Sequence, residues 1–177
     1  RSIAGGYDNP STRRPIYVES VAALKAQSVA SLPNGAVFAT KGYYSSGDGG
    51  ASEYVYNSAS SATDNGGTVI APTAGSGRYL LQVDGVINVR QFGAKGDNTT
   101  DDTTALAVAI TASEEGTYPI YVPRGTYLIT STLNLNGNFL LYGDCQGQGA
   151  ASIYTGSGSA IRYAGAGIGI QVNNGTN

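Results

Sequence analysis

The sequence of 177 residues contains no histidine, methionine or tryptophan and only one cysteine. These absences exclude several kinds of site within the chain, because Ser-His-Asp triads and Cys-His pairs need histidine, and zinc sites need several His or Cys ligands. Cys145 has no second cysteine with which to form an internal disulfide, so the chain is not a disulfide-stapled scaffold. We interpret Cys145 as an inert small residue near a bend.

Charged residues are also scarce. They make up 12% of the chain, with a net charge of -2, whereas an average globular domain has about 25%. So few Lys and Arg residues provide no electrostatic footprint for nucleic acid or for an anionic membrane surface. The apolar runs are too short to span a bilayer. The composition therefore predicts that neither nucleic acid nor a membrane is a partner.

Glycine and tyrosine, by contrast, are abundant. There are 26 Gly residues, and 13 Tyr residues against 3 Phe residues. Glycine permits tight turns, and tyrosine is favoured in strands. This composition predicts a mainly β fold with many short strands.

The first half of the chain is predicted to be an arm followed by a small domain. Residues 1–16 carry Gly, Pro and Ser without periodicity, which is typical of an extended arm or linker. Residues 17–85 are predicted to form a small mixed domain, in which VESVAALKAQSV forms one short helix. Its strand candidates are AVFAT, SEYVYN, NGGTVIAP and GRYLLQV.

The second half, residues 86–177, combines one amphipathic segment with several short β runs. Apolar residues recur at three- and four-residue intervals between residues 104 and 115, which predicts a helix. We expect Thr103 or Thr104 to cap its start and Gly116 to end it. The β runs are PIYVPRGTYLI, NFLLYGD, ASIYTG, SAIRYAG and IGIQVNN. Such short strands suit a stacked solenoid, and the helix is expected to cover the open end of its first coil.

The start of this second half resembles a known family. The motifs that carry the resemblance are FGAKGD at Phe92 to Asp97, DDT at Asp101 to Thr103, the Ala-rich helix, and V-P-x-G-x-Y at Val122 to Tyr127. Together they resemble the first turns of the single-stranded right-handed β-helix in the pectate-lyase-like superfamily. That superfamily includes polysaccharide lyases, glycoside hydrolases and bacteriophage tailspikes. The resemblance implies a small mixed α/β N-terminal domain followed by the first coils of a right-handed parallel β-helix with a capping helix.

The first half carries a second resemblance. KGYYSSGDGGASEYVYNSASSATDNGGTVI, followed by GRYLL, resembles the small domain that precedes the β-helix in many tailspikes and capsule depolymerases. It implies the N-terminal part of a homotrimeric spike on the virion tail, held by the tail or an adaptor protein and acting on extracellular capsule or O-antigen polysaccharide. The parent protein is expected to degrade that polysaccharide by hydrolysis or β-elimination. Two alternatives stay open: a secreted pectate-lyase-like enzyme, and a short attachment protein without catalytic activity.

Asp97, Asp101 and Asp102 are close enough in sequence to suggest a catalytic carboxylate pair or a calcium site. Turn and helix chemistry offers another interpretation, in which Asp97 stabilises a turn while Asp101 and Asp102 cap the helix. Because no acidic residue follows at the spacing of an EF-hand-like loop, we predict no metal and no cofactor. Loss of Asp102 as a cap would then cost about 1 kcal/mol. The predicted structural motif comprises Phe92, Gly93, Gly96, Asp97, Asp101 and Asp102.

Carbohydrate contact is predicted at a few tyrosines, because the ring offers an apolar face and a polar tip. Tyr43, Tyr44 and Tyr154 are the candidates, although packing within strands is the commoner role of tyrosine. Asp144 is the candidate for a catalytic carboxylate, although turn chemistry in its Gly-rich bend explains it better than catalysis. No two acidic residues are placed by sequence on neighbouring coils of a groove, so we expect the chain alone not to cleave a polysaccharide.

Overall fold

The structure, a computed structural model, describes residues 14–136, 140–144 and 158–173. Cys145, Tyr154 and the strand predicted at ASIYTG lie outside these ranges, as does most of the predicted arm. The prediction that the arm extends to Ile16 is wrong, because Ile16 begins a strand and pairs with Phe38. Within the described ranges, no helix has the length and apolar character needed to cross a membrane.

The first part of the chain forms a five-stranded sheet with one short helix. The elements are β1 (Ile16–Val18), α1 (Val21–Lys25), β2 (Val37–Thr40), β3 (Ser52–Asn57), β4 (Val69–Ile70) and β5 (Arg78–Leu81). The strand order is β1-β2-β3-β5-β4, and β1 runs parallel to β2 while the other pairs are antiparallel. Helix α1 begins after Ser20, whose side-chain oxygen accepts the backbone N–H of Ala23 at 3.2 Å.

Tyrosine rings make up much of the core of this sheet. Tyr54 and Tyr56 alternate with Val55 along β3, so both rings face inward, as the period of two in a strand requires. Tyr79 of β5 packs edge-on against Phe38 of β2 with 5.2 Å between ring centroids. Most of the tyrosine surface in this sheet therefore serves packing.

The second part of the chain winds through three coils that share three parallel sheets. The first coil has β6 (Ile87–Asn88), β7 (Asp97–Asp101) and α2 (Thr103–Gly116). The second coil has β8 (Ile120–Val122), β9 (Gly125–Ile129) and β10 (Leu133–Asn136). The third coil has β11 (Leu141–Gly143), β12 (Ser159–Tyr163) and β13 (Ile170–Asn173). The sheets are β6-β8-β11, β7-β9-β12 and β10-β13. Successive coils thus add one strand to each sheet, which is the architecture of a parallel β-helix.

Like residues stack above one another inside these coils. Ile87 of β6 is level with Ile120 of β8, which is level with Leu141 of β11. Both isoleucines are fully buried. A residue with its side chain inward on one coil is thus covered by its equivalent on the next, and the short strands share one core.

Helix α2 takes the place that a third strand would have in the first coil. Its buried side chains include Leu106, Ala109 and Ile110, and it packs against β6, β8 and β10. The carboxylate of Glu114, near its end, accepts the backbone N–H of Asn136 in β10 at 2.7 Å. The helix therefore covers the end of the coil stack, which protects apolar side chains that no preceding coil covers.

The predicted N-cap of α2 is wrong, whereas Gly116 is the last residue of the helix, as predicted. The residue before the helix is Asp102, and neither Thr103 nor Thr104 occupies the N-cap position. At the other end Gly116 is still helical, and Thr117 takes the left-handed conformation with φ 57°. Gly116 also makes room, since a Cβ atom there would lie 2.2 Å from the ring of Tyr118.

Candidate functional site at the domain joint

The two parts of the chain meet at a 3-10 helix, Val89–Phe92, that directly follows β6. Asn88 accepts the N–H of Arg90 at 3.0 Å, and Gln91 accepts the N–H of Asn88 at 3.1 Å, which forms a capping box. Val89 and Phe92 are buried, and Gly93 ends the helix with φ 90°. We call this segment the joint helix.

Three side chains of the joint helix region donate hydrogen bonds to the loop after β2. Arg90 Nη1 donates to the carbonyl of Asp48 at 3.0 Å. Asn88 Nδ2 donates to the carbonyl of Gly49 at 3.1 Å, and Gln91 Nε2 donates to that of Ala51 at 3.4 Å. The small domain is thereby joined to the β-helix through backbone carbonyls.

Arg90 also binds the second coil of the β-helix. Its Nε donates to the hydroxyl of Tyr127 at 3.2 Å and its Nη2 donates to the carbonyl of Arg124 at 2.8 Å. The Tyr127 hydroxyl in turn donates to the carbonyl of Pro123 at 3.0 Å. One guanidinium thus bridges the loop of the small domain, the joint helix and coil two. Its fixed fork of donors suits this task better than a lysine ammonium would.

The loop that receives Arg90 is held in shape by Asp48. Its carboxylate accepts four backbone N–H groups at 2.7 to 3.0 Å, from Tyr43, Tyr44, Ser45 and Gly50. Partial burial disfavours the charged form, but the N–H donors outweigh this effect and hold the pKa of Asp48 below its usual range. Asp48 is therefore an ionised structural residue.

Tyr43 and Tyr44, two of the predicted glycan contacts, lie at this joint. Their rings pack edge-on with centroids 4.8 Å apart. The Tyr43 hydroxyl donates to the carbonyl of Gly66, and the Tyr44 hydroxyl donates to that of Gly93, both at 2.9 Å. Burial raises the pKa of both phenols, so they stay protonated and able to donate.

Both tyrosines pack against Gly93. A Cβ atom there would lie 2.7 Å from Cε1 of Tyr43 and 3.0 Å from the hydroxyl of Tyr44. Gly93, the first glycine of FGAKGD, therefore packs against Tyr43 and Tyr44, the two tyrosines of GYY. Gly96 has a similar role, since a Cβ there would lie 2.7 Å from the ring of Tyr127.

A cavity of about 320 Å³ opens at the joint. It is lined by Tyr43, Tyr44, Ser45, Asp48, Arg90, Ala94 and Lys95. The Lys95 ammonium lies 5.0 Å from the centroid of the Tyr44 ring, and the Tyr44 side chain is 54% exposed. The cavity combines an aromatic wall with two cationic groups and one carboxylate.

The cap predicted for Asp102 is wrong, because its side chain makes no hydrogen bond to the helix. Asp102 is buried, and its carboxylate accepts the backbone N–H groups of Lys95 at 2.7 Å and Gly96 at 3.0 Å. Burial raises its pKa despite these donors. Asp102 thus holds the AKG segment in place from inside the fold.

Asp97 makes local contacts, whereas Asp101 also contacts the second coil, where its Oδ2 accepts the hydroxyl of Thr130 at 2.6 Å. Asp97 lies in β7, where its Oδ1 accepts the N–H groups of Thr99 at 3.0 Å and Thr100 at 2.7 Å, which hold its pKa well below its usual range. Asp101 Oδ1 accepts the N–H of Thr103, the first residue of α2, at 3.0 Å. Within the described ranges, no group of three or more acidic, His or Cys side chains could hold a metal ion.

Asp144, the candidate catalytic carboxylate, lies after β11 and contacts the second coil. Its Oδ1 accepts the hydroxyl of Tyr121 and its Oδ2 accepts the backbone N–H of Arg124, both at 2.8 Å. Its own N–H donates to the hydroxyl of Ser159 at 2.9 Å. The side chain therefore ties coil three to coil two. Tyr154, the third predicted glycan contact, lies outside the described residues.

The residue that sequence reasoning missed is Arg90. The signal for it was an arginine two residues before the first residue of FGAKGD, in a chain with only 10 Lys and Arg residues. Its three acceptors come from segments far apart in sequence, at separations of 34 to 42 residues. No local pattern joins them, so the role of Arg90 depends on the assembled fold.

Comparison with known proteins gives matches to both parts of the chain. A family model described as rhamnogalacturonase A/epimerase, pectate lyase-like, matches residues 86–174. A model described as phage tail protein small four-stranded beta-sheet domain matches residues 17–84. Among curated proteins, the capsule K3-specific depolymerase 1 of Klebsiella phage KP32 is 49% identical over 59 residues, which is 29% of this chain and 7% of that protein.

Solved structures show the same likeness. The tailspike gp49 of Acinetobacter baumannii bacteriophage Fri1, a capsular polysaccharide depolymerase, is 25% identical with a TM-score of 0.61, over 73% of this chain and 23% of that one. The tailspike of Acinetobacter phage vB_ApiP_P1 is 22% identical with a TM-score of 0.64, over 88% of this chain and 26% of that one. The chain thus spans about a quarter of the length of these tailspikes.

Proposed function

Because the chain belongs to the rhamnogalacturonase A/epimerase, pectate lyase-like family, whose model matches residues 86–174, we propose that it is the N-terminal part of a bacteriophage tailspike. The spike is a component of the virion tail and attaches the particle to capsule or O-antigen polysaccharide on the bacterial surface. The parent protein degrades that polysaccharide, and this part of it connects the particle to the region that does so.

The observation that carries this proposal is the joint itself. A domain that matches a phage tail model is held to the first coils of a β-helix by hydrogen bonds from Arg90, Asn88 and Gln91. A connection fixed by hydrogen bonds suits an attachment protein, because the orientation of the particle then follows the orientation of the β-helix. A secreted pectate-lyase-like enzyme has no corresponding need for a phage tail domain.

The proposal assigns a role to each part of the chain. The small domain, whose first strand begins at Ile16 and which extends to residue 85, is the particle-proximal domain, and residues 86–177 begin the β-helix. The assembly is a homotrimer that contacts a tail or adaptor protein of the virion. Support for these assignments comes from the likeness to tailspikes, whose solved structures match both parts of the chain together.

The test uses the reading frame to which this chain belongs, expressed as a whole protein beside the 177-residue chain. Both proteins are applied to panels of purified bacterial capsule and O-antigen, and binding, reducing ends and unsaturated products are measured. We expect the whole protein to bind one polysaccharide and release oligosaccharides from it. A whole protein that binds no polysaccharide in the panels from its host range, or that is monomeric by light scattering, would contradict the proposal.

A further inference from the structure

The cavity at the domain joint retains polar groups that the fold does not use. Arg90 is committed to three protein acceptors, and the Asp48 carboxylate is committed to four backbone N–H groups. By contrast, the exposed ammonium of Lys95 has the Tyr44 ring as its contact, and no carboxylate within the described ranges pairs with it. The hydroxyl of Ser45 likewise makes no hydrogen bond to a described residue.

The charge of the cavity favours an anion. Two cationic side chains, Arg90 and Lys95, line the cavity with one carboxylate, that of Asp48. Backbone N–H groups already stabilise the charge of that carboxylate. The whole chain has a net charge of -2, so this positive site contrasts with its surroundings. An anion bound to Lys95 would gain a charge-assisted hydrogen bond that the fold leaves unmade.

The shape and the aromatic wall favour a sugar. A volume of about 320 Å³ lies at the lower end of the range for small-molecule sites, which begins at about 300 Å³, and suits one or two monosaccharide units. The exposed Tyr44 ring offers an apolar surface, and the Ser45 hydroxyl can both donate and accept a hydrogen bond. Apolar ring surface next to such a hydroxyl matches a sugar, which has both C–H faces and hydroxyl groups.

We propose that this cavity binds a carboxylate-bearing sugar unit, with the carboxylate on Lys95, a sugar hydroxyl on Ser45, and the sugar ring against Tyr44. The inference rests on the proposed function and deepens it, because it names acidic polysaccharide as the class that the spike contacts. The glycan contact predicted for Tyr44 then belongs to the joint between the domains.

The test titrates the 177-residue chain with D-glucuronate, D-glucose and acetate, and follows the amide resonances of Tyr44, Ser45 and Lys95 by NMR. Glucose has the same ring without the carboxylate, and acetate has the carboxylate without the ring. We expect glucuronate to shift these resonances in a saturable way, and to bind more tightly than either control. Lys95→Gln should weaken glucuronate binding about tenfold, the loss of one charge-assisted hydrogen bond.

Lys41→Gln is the matched control, because Lys41 is an exposed lysine whose ammonium is paired with Glu19 and does not line the cavity. It should leave glucuronate binding unchanged, and thermal melts should show both variants folded. Equal binding of glucose, equal binding of acetate, or no effect of Lys95→Gln would overturn the inference. This failure is separate from failure of the proposed function, because a whole protein that binds and degrades a polysaccharide would still be a tailspike.

Discussion

Arg90 and Asp48 are joined by a hydrogen bond of 3.0 Å from Nη1 of the arginine to the carbonyl oxygen of the aspartate residue. The same guanidinium reaches Tyr127 and Arg124 in the second coil. A single side chain therefore connects the small domain to the second coil of the β-helix. The first prediction concerns this contact.

Arg90→Lys is expected to lower the free energy of unfolding by about 1 to 3 kcal/mol, because one ammonium cannot reach all three acceptors, which lie in two segments, and leaves some of them unpaired. Arg78→Lys is the control, since Arg78 donates to carbonyls of its own domain only. Urea unfolding of both variants gives the comparison. An Arg90 variant as stable as the Arg78 variant would show that the joint does not depend on the guanidinium.

Gly93→Ala tests the contact between the glycine and the two tyrosines. The left-handed backbone alone should cost about 1 to 2 kcal/mol, and the clash with Tyr43 should add about 1 to 3 kcal/mol. Gly47→Ala separates these effects, because Gly47 has φ 84° against 90° for Gly93 and no atom within 4 Å of its added Cβ. Thermal melts should show the larger loss for Gly93→Ala, and equal losses would mean that the tyrosines move aside freely.

Asp102→Ala should lower the free energy of unfolding by about 1 to 3 kcal/mol, since it leaves the N–H groups of Lys95 and Gly96 without an acceptor inside the fold. Asp101→Ala, which removes exposed contacts to the start of α2 and to Thr130, should cost about 1 kcal/mol or less. Calcium titration of the wild-type chain accompanies the melts. A large rise in melting temperature with calcium would return the aspartates to the role of a metal site.

The pH dependence of stability should have opposite signs for Asp97 and Asp102. The folded pKa of Asp97 is lowered by backbone N–H donors, so its stabilisation is complete above the usual aspartate pKa of about 3.9 and is lost as the pH falls toward the folded value. The folded pKa of Asp102 is raised by burial, so the part of its contribution that depends on protonation is present below about 3.9 and is lost as the pH rises through the folded value.

Urea unfolding of Asp97→Asn and Asp102→Asn between about pH 2 and pH 7 measures these slopes. Relative to wild type, Asp97→Asn should lose less stability on acidification. The difference between wild type and Asp102→Asn should instead shrink as the pH rises above about 4. Identical pH profiles for the two variants would contradict the assignment of the donors to Asp97 and of the burial to Asp102.

The 177-residue chain is expected to release no reducing ends or unsaturated products from capsule or O-antigen. Cleavage by carboxylates needs two groups about 5 to 9.5 Å apart across the bond, and Asp144 uses both of its oxygens to hold Tyr121 and Arg124. Product assays with a buffer control make the measurement. Turnover that Asp144→Asn abolishes would place an active site in this chain.

Periodic patterns in the sequence were sufficient to predict the elements whose buried residues alternate along a strand or lie on one face of a helix. SEYVYN predicts β3 with the same bounds as the structure, and the stripe over residues 104–115 predicts the helix at Thr103–Gly116. Strand β10 was missed, although Leu133 and Leu135 are buried and alternate with Asn134 and Asn136. Its four residues have an alternation too short to distinguish from a polar loop.

The sequence by itself determined the mainly β fold and the capping helix, because local propensity and short-range spacing are sufficient for these. The motifs from Phe92 to Tyr127 indicated the β-helix through their resemblance to a known family. Only the tertiary structure decided that Asp102 holds the AKG segment from inside, that GYY rests on Gly93, and that Arg90 joins three segments. Each of these contacts pairs a polar or small group with partners that are distant in sequence or on the opposite side of a turn. Whether a carboxylate caps a helix or is buried against a loop depends on which donors the folded chain brings within about 3 Å of it.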